Sequence, residues 1–191
     1  MSRIMLTDRF FKCLLFCVIA FVSCSSNAAV MHCHGSAEHW RDVAYSTPPM
    51  DRYKDLRGCV AWTAYQFELP EELLYSILYI ERGPLNGKCS NNSNGTQDCG
   101  PAQINDVRLK ELKKFNLDKT TMRSKPCQNI WAMGYLVRRE IEKADGHIWR
   151  GVGNYHFHYS VNPDIHNRYV KKIKKAWLQL NEKIEDYCTQ N

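Results

Sequence analysis

Apolar residues recur along much of this chain at steps of three and four, the spacing that puts them on one face of an α-helix. "DLRGCVAWTAYQFE" (55–68) carries them at 56, 59, 60, 63/64 and 67, which predicts a helix. Pro70 opens the next, with Glu71 and Glu72 in its first turn, where carboxylates suit the helix dipole. The stripe of that helix runs through Leu74, Ile77 and Leu78, and four residues after Ile77 the same face reaches Glu81. Arg82-Gly83-Pro84 then stops it. "KPCQNIWAMGYLVRREIEKA" (125–144) places Ile130, Met133/Gly134, Val137 and Ile141 on one face. A last helix begins near Asp164, with Tyr169, Ile173, Trp177, Leu180 and Ile184 in its stripe. Its lysines 171, 172, 174 and 175 lie mostly off that face and read as solvated. Between these segments, "PLNGKCSNNSNGTQDCG" (84–100) is a loop rich in Asn, Gly and Ser. Residues 101–115 begin as a turn and become a helix, and "GVGNYHFHYS" (151–160) is aromatic and interrupted by glycine. No repeat and no strand-like alternation stands out, so the chain reads as mostly α.

The start of the chain follows a different pattern. Arg3, Arg9 and Lys12 precede the apolar run "CLLFCVIAFVSC" (13–24), which is short for a bilayer span, and "SSNAAV" then supplies small residues for cleavage after Ala28. Residues 1–28 are read as a secretory signal peptide. "FVSC" weakly resembles a lipoprotein box at Cys24, with Phe21 where Leu is usual. Residues 29–54 read as an irregular N-terminal extension, and 55–191 as one domain large enough for a real core. The leader holds three basic residues and one acidic one, so the rest carries a net charge of +4 against +6 for the whole chain. That mild excess suits approach to an anionic surface such as a cell wall. No nucleic-acid motif accompanies it, and no nucleic-acid partner is assigned.

Three cysteines leave with the leader, and Cys33, Cys59, Cys89, Cys99, Cys127 and Cys188 remain. An even set in an exported chain reads as three disulfides, with the connectivity open on spacing alone. No Cys-x-x-Cys spacing suggests zinc. His156 and His158 form a His-x-His, and His32, His34 and His39 cluster upstream. Both groups read as surface or internally bonded histidines, and neither a metal nor a cofactor is assigned.

Glu81 is the residue whose place is odd. A carboxyl that continues an apolar stripe is partly withdrawn from water, which disfavours its charged form and raises its pKa. An acid that stays protonated near neutral pH can donate a proton to a leaving oxygen, as in glycosidic bond cleavage. The plainer reading of this helix taken by itself is a structural glutamate bonded to Arg57, Arg82 or a nearby amide.

The surroundings add to this. "ILYIERG", "NGTQDCGPAQIND", "KPCQNIWAMG" and "GVGNYHFHYSVN" followed by "RYVKKI", in this order and spacing, resemble the lytic transglycosylases of the lysozyme-like superfamily. The likeness is to the small, single-domain members that accompany type III, type IV and conjugative secretion systems, and it covers roughly residues 56–175. Glu81-Arg82-Gly83 matches the family's glutamate and glycine, with Arg82 in place of serine. In the second motif Asp98, Gly100, Gln103, Ile104 and Asn105 match, while Pro101 and Ala102 replace Leu-Met. Gly153-Asn154-Tyr155-His156 matches the third motif, a Gly-x-Tyr-Asn or Gly-x-Tyr-His turn, with Phe157-His158 where small residues are usual.

The resemblance implies a mostly α, lysozyme-like single domain, stapled by disulfides, that cuts the β-1,4 bond between N-acetylmuramic acid and N-acetylglucosamine in peptidoglycan. Glu81 would be the catalytic residue, and Gly100, Gln103, Tyr155 and His156 the substrate-binding positions. Tyr155 would hold Glu81 by a hydrogen bond or pack on a sugar ring; the bland alternative is a core aromatic. The resemblance also implies the pair Cys59–Cys127. Locality then suggests Cys89–Cys99, and elimination Cys33–Cys188. A hydrolase would need a second carboxylate, for which Asp98 is the main candidate, although its motif position favours a loop-fixing role. Arg82 beside Glu81 is expected to stabilise its ionised form and oppose burial. The expected location is the periplasm or the wall after leader cleavage. The expected partners are glycan strands and components of a secretion or conjugation machine. The rival readings are a lysozyme-type hydrolase and a peptidoglycan-binding assembly factor without turnover.

Overall fold

The structure, a computed structural model, describes residues 37–190, with side chains over 40–186. Eight helices and a small sheet follow one another in these residues. They are α1 (Ala37–Ala44), α2 (Arg57–Phe67), α3 (Glu71–Glu81), β1 (Cys89–Asn91), β2 (Gln97–Cys99), β3 (Ile104–Asn105), α4 (Leu109–Leu112), α5 (Lys119–Ser124), α6 (Pro126–Glu142), α7 (Ile148–His156) and α8 (Pro163–Gln190). The expected mostly α single domain is what forms. None of the helices among the described residues is long and apolar enough to cross a membrane.

The helical periods predict α2, α3, α6 and α8 closely. α6 is buried on more faces than one stripe requires, because it packs against α2, α5, α7 and the sheet together. Its approach to α2 is close: a Cβ on Gly134 would lie 2.3 Å from the Thr63 methyl group. The Cys59–Cys127 disulfide joins the same two helices.

Three segments differ from the sequence reading. The extension is not irregular throughout. Residues 37–44 form α1, and Arg41 donates two hydrogen bonds, of 2.9 and 2.8 Å, to the Glu71 carboxylate at the start of α3. Tyr45, Met50 and Tyr53 then enter the core, so the extension is continuous with the domain's packing. The loop at 84–100 carries two short strands, which pair antiparallel with Cys89 opposite Cys99. The Cys89–Cys99 disulfide bridges this pair, and β3 extends the sheet on the other side of β2. Strands this short carry too little alternation to be seen in a sequence. Third, the Gly-x-Tyr-His motif is the last turn of α7 rather than an open turn. Glycine lowers helix propensity, yet here it is needed for packing. A Cβ on Gly151 would meet Ile141 at 2.4 Å, and one on Gly153 would meet the His166 ring at 2.2 Å.

Asn129 on α6 holds the second motif in place. Its side-chain oxygen accepts from the Ala102 N–H at 2.9 Å, and its amide donates to the carbonyls of Cys99 and Met122 at 2.8 and 3.1 Å. It lies against Gly100, whose backbone has φ +72° and whose Cβ, if present, would fall 2.4 Å from the Asn129 amide nitrogen. Asn129→Ala strands three buried backbone groups, each at about 1–3 kcal/mol. Urea unfolding is expected to show a loss of about 3 kcal/mol or more. A loss under about 1 kcal/mol would mean that this turn holds itself.

Candidate functional site

α3 ends at Glu81 because Arg82 takes a left-handed conformation, φ +52°, and caps the helix. The chain then runs directly beneath the second motif. Gly83 donates its N–H to the Pro101 carbonyl at 3.1 Å, and a Cβ on Gly83 would lie 1.9 Å from the Gly100 carbonyl oxygen. No side chain fits there, which accounts for the glycine of the first motif. The Gly83 carbonyl in turn accepts from the buried Tyr53 hydroxyl at 2.6 Å. A residue from before the helical domain proper thus buttresses the corner beside Glu81.

Glu81 is half-buried at one wall of a cleft of about 600 Å³. Its Oε1 accepts from the Tyr169 hydroxyl, on α8, at 2.6 Å. The carboxyl is pushed up from 4.5 to about 7. Burial is the largest cause; the Tyr169 hydrogen bond pulls the other way, the Asp98 charge adds to the rise, and Lys172 opposes it. Tyr169 itself is held well above its ordinary value, by burial first and then by the Glu81 charge, so its hydroxyl stays a donor. The His156 ring stacks on Tyr169 with centroids 4.2 Å apart. Loss of hydration, the main cause, keeps its imidazole below the ordinary histidine value.

Gln103, Tyr155 and His156 line the same cleft as Glu81, as do Asp98 and Asn105. Gln103 sits at φ +49°, a costly conformation for a side chain of this kind. Its amide holds the strained turn by donating to the Gly100 carbonyl at 3.0 Å, while its oxygen accepts from the Ser90 hydroxyl at 3.0 Å. Gly100 stands behind the cleft wall and shapes the backbone there. Asp98 accepts from Asn92 at 2.9 Å and from Asn105 at 2.7 Å, so both its oxygens are engaged in joining the loop to the motif.

Two expectations about Glu81 need correction. Tyr155 does not hold it: the Tyr155 hydroxyl donates to the Ala102 carbonyl at 2.8 Å, and Tyr169 makes the bond instead. Arg82 does not lie against it either. The left-handed cap turns Arg82 outward, where Nε donates to the Tyr79 carbonyl at 3.0 Å and the guanidinium lies 5.1 Å above the Tyr79 ring. The cation that acts on Glu81 is Lys172, one of the lysines read from the sequence as solvated.

The sequence reading also passed over Arg108, which lines the cleft. It donates to Glu140 at 3.2 Å and to the carbonyls of Asn154 and Tyr155 at 3.1 and 3.2 Å, fixing the end of α7. Burial alone would raise Glu140, but its hydrogen bond and ion pair with Arg139, together with Arg108 and Lys143, hold its carboxyl below the ordinary range. Nothing in the local pattern of either residue signals this long-range pairing. Among the described residues no group of three or more His, Cys, Asp or Glu side chains could hold a metal ion. Cys33, His32, His34 and the side chains of His39 and Cys188 lie outside the described residues, and with them the expected Cys33–Cys188 pair.

Fold and cleft together define a small, disulfide-stapled helical domain with a half-buried glutamate, Glu81, at the wall of its cleft. The sequence gives that class a family. It is 32% identical to the invasion protein IagB of Salmonella typhi over 117 residues, which span 61% of this chain and 72% of that protein. It is also 28% identical to the protein IpgF of Shigella flexneri over 116 residues, spanning 60% of this chain and 76% of that one. No protein-family model matches the chain. At this identity and coverage the chain belongs to the family of the invasion protein IagB.

Two outcomes follow for the acid. Tyr169→Phe removes a bond that favours the ionised form, so the Glu81 titration followed by carboxyl NMR should move above about 7, while Arg82→Ser should leave it in place. If Arg82→Ser moves it and Tyr169→Phe does not, the geometry is misassigned. The raised pKa also links stability to pH. A buried acid whose pKa rises on folding favours the fold fully below its unfolded value, near 4.5, and that contribution is lost as pH rises through about 7. Glu81→Gln should therefore be more stable than the parent at pH 8, by up to about 3 kcal/mol, with the advantage shrinking toward pH 4. Thermal unfolding at the two pH values measures this, and an advantage that grows on acidification would contradict it.

Proposed function

We propose that this chain is a peptidoglycan lytic transglycosylase that uses Glu81 as its single acid and base. The observation that carries the reading is a half-buried carboxyl, bonded to Tyr169 at the wall of the cleft, which burial pushes up to about 7. At neutral pH a large share of Glu81 is protonated. In this reading it gives its proton to the O4 of N-acetylglucosamine as the bond to C1 of N-acetylmuramic acid breaks. The resulting carboxylate then takes the proton of the muramic acid 6-hydroxyl as that oxygen closes on C1. The product is a 1,6-anhydro sugar, no water is consumed, and the acid returns to its starting state. Tyr169 holds the carboxyl in one orientation and stabilises the anion between the two proton transfers.

A hydrolase of the two-carboxylate type would need a second carboxylate about 5–9.5 Å from the first. Asp98 accepts one hydrogen bond on each oxygen, from Asn92 and Asn105, which fits the loop-fixing role its motif position implies; the product assay separates it from a second catalytic carboxylate. The name of the Salmonella relative, invasion protein, is in keeping with work alongside an export machine, where local opening of the wall in the periplasm would let the machine pass.

The test is the mass of the products that purified protein releases from peptidoglycan sacculi. Anhydro-muropeptides are expected, and Glu81→Gln should release them about a hundred- to ten-thousandfold more slowly. Products with reducing ends would instead establish hydrolysis. Tight binding to sacculi with no soluble product, unchanged by Glu81→Gln, would make the protein an assembly factor.

A further inference from the structure

A second concavity, of about 550 Å³, lies on a different part of the surface and shares no lining residue with the Glu81 cleft. It is formed where α2 meets α6 and the turn at 113–115, beside the Cys59–Cys127 disulfide. Its walls are aromatic. Trp62 on α2 is 54% exposed, an unusual position for the largest apolar side chain. Phe115 and Trp131, both in its wall, pack edge to face on one another, with centroids 5.0 Å apart and rings nearly perpendicular. The rest of the α2–α6 aromatic cluster pins Trp131, which stacks on Tyr135 and meets Phe67 edge-on. The floor is thus rigid, with one indole left open to solvent. At the rim stand two exposed side-chain amides, Asn116 and Gln128, and no carboxylate lines the groove. Exposed lysines neighbour its lining residues in sequence, Lys113 and Lys114 before Phe115 and Lys125 before Pro126-Cys127, against one exposed acid, Asp118, after Leu117.

We infer that this groove is an accessory binding site for a glycan strand of the wall polymer; this rests on the proposed action on peptidoglycan. The groove's chemistry fits that occupant. Aromatic faces pack against the C–H faces of pyranose rings, and amides pair with their hydroxyl and acetamido groups. A groove lined by no acid, whose sequence neighbours carry more lysines than acids, suits a strand whose peptide stems are anionic. An accessory site on a polymer has a physical use as well. A strand held at the groove is presented to the cleft at high effective concentration, so the enzyme stays on the wall between cuts.

The experiment is co-sedimentation with purified sacculi in the Glu81→Gln background, where no strand is cut. Trp62→Ala is expected to weaken binding about tenfold. Trp62 is exposed, and an unchanged melting temperature would show that the fold is intact. Lys113→Glu with Lys125→Glu, away from the aromatic floor, is expected to weaken binding to intact sacculi. After an amidase strips the peptide stems, the lysine effect should vanish and the Trp62 effect should persist. Equal binding by Glu81→Gln and its Trp62→Ala derivative overturns the proposal, as does a Trp62 effect that disappears with the stems. A wild-type protein that releases no product from sacculi would sink the enzymatic reading instead, and the binding arms would still decide whether the groove takes glycan.

Discussion

The hydrogen bond from Tyr169 to Glu81, 2.6 Å long, joins the end of α3 to α8 across 88 residues of sequence. Most of what is particular to this domain serves to make that bond possible. Glu81 is delivered by a helix whose other stripe positions are core, so the carboxyl arrives already half-withdrawn from water. Tyr169 is delivered by the close packing of α7 on α8, where Gly153 leaves room for the His166 ring. Burial and the bond act in opposite directions on the carboxyl. The first keeps the proton on near neutrality, and the second makes its loss tolerable. A group that must donate and then accept needs both influences, because a carboxyl pushed too far either way serves only one of the two steps.

The backbone of the second motif is held from three sides. Asn129 reaches Ala102, Cys99 and Met122 from within the core; Tyr155 reaches the Ala102 carbonyl; and Gly83 reaches the Pro101 carbonyl. Pro101 and Ala102 are the two positions where this sequence departs from the motif it resembles. The three bonds made at these positions use backbone atoms, so the turn survives the change of side chain. Arg82 is tolerated for a related reason: the left-handed cap points it at Tyr79 and away from the acid.

What was legible in the sequence follows from range. The helices, and the oddity of an acid closing an apolar stripe, rest on contacts within a turn or two, and periodicity reports them. Glu81, Gln103, Tyr155 and His156 were named from local motifs, and the structure brings them to one cleft. Tyr169 was visible as part of an apolar stripe and of the stretch "RYVKKI" that carries the resemblance, but nothing near it in the chain says that its hydroxyl meets a carboxyl on α3. Asn129 and Arg108 were passed over for the same reason, their partners lying tens of residues away. The glycines of α7 look like interruptions because propensity is local, whereas the close contacts with Ile141 and His166 that require them are tertiary.

In the proposed reaction the Glu81 carboxyl alone carries the chemistry, and the pH profile of product release from sacculi tests this most directly. If Glu81 must hold its proton at the start of each cut, the rate of product release from sacculi should fall as pH rises through about 7. A rate that stays level to pH 9, or that rises across neutrality, would contradict the account.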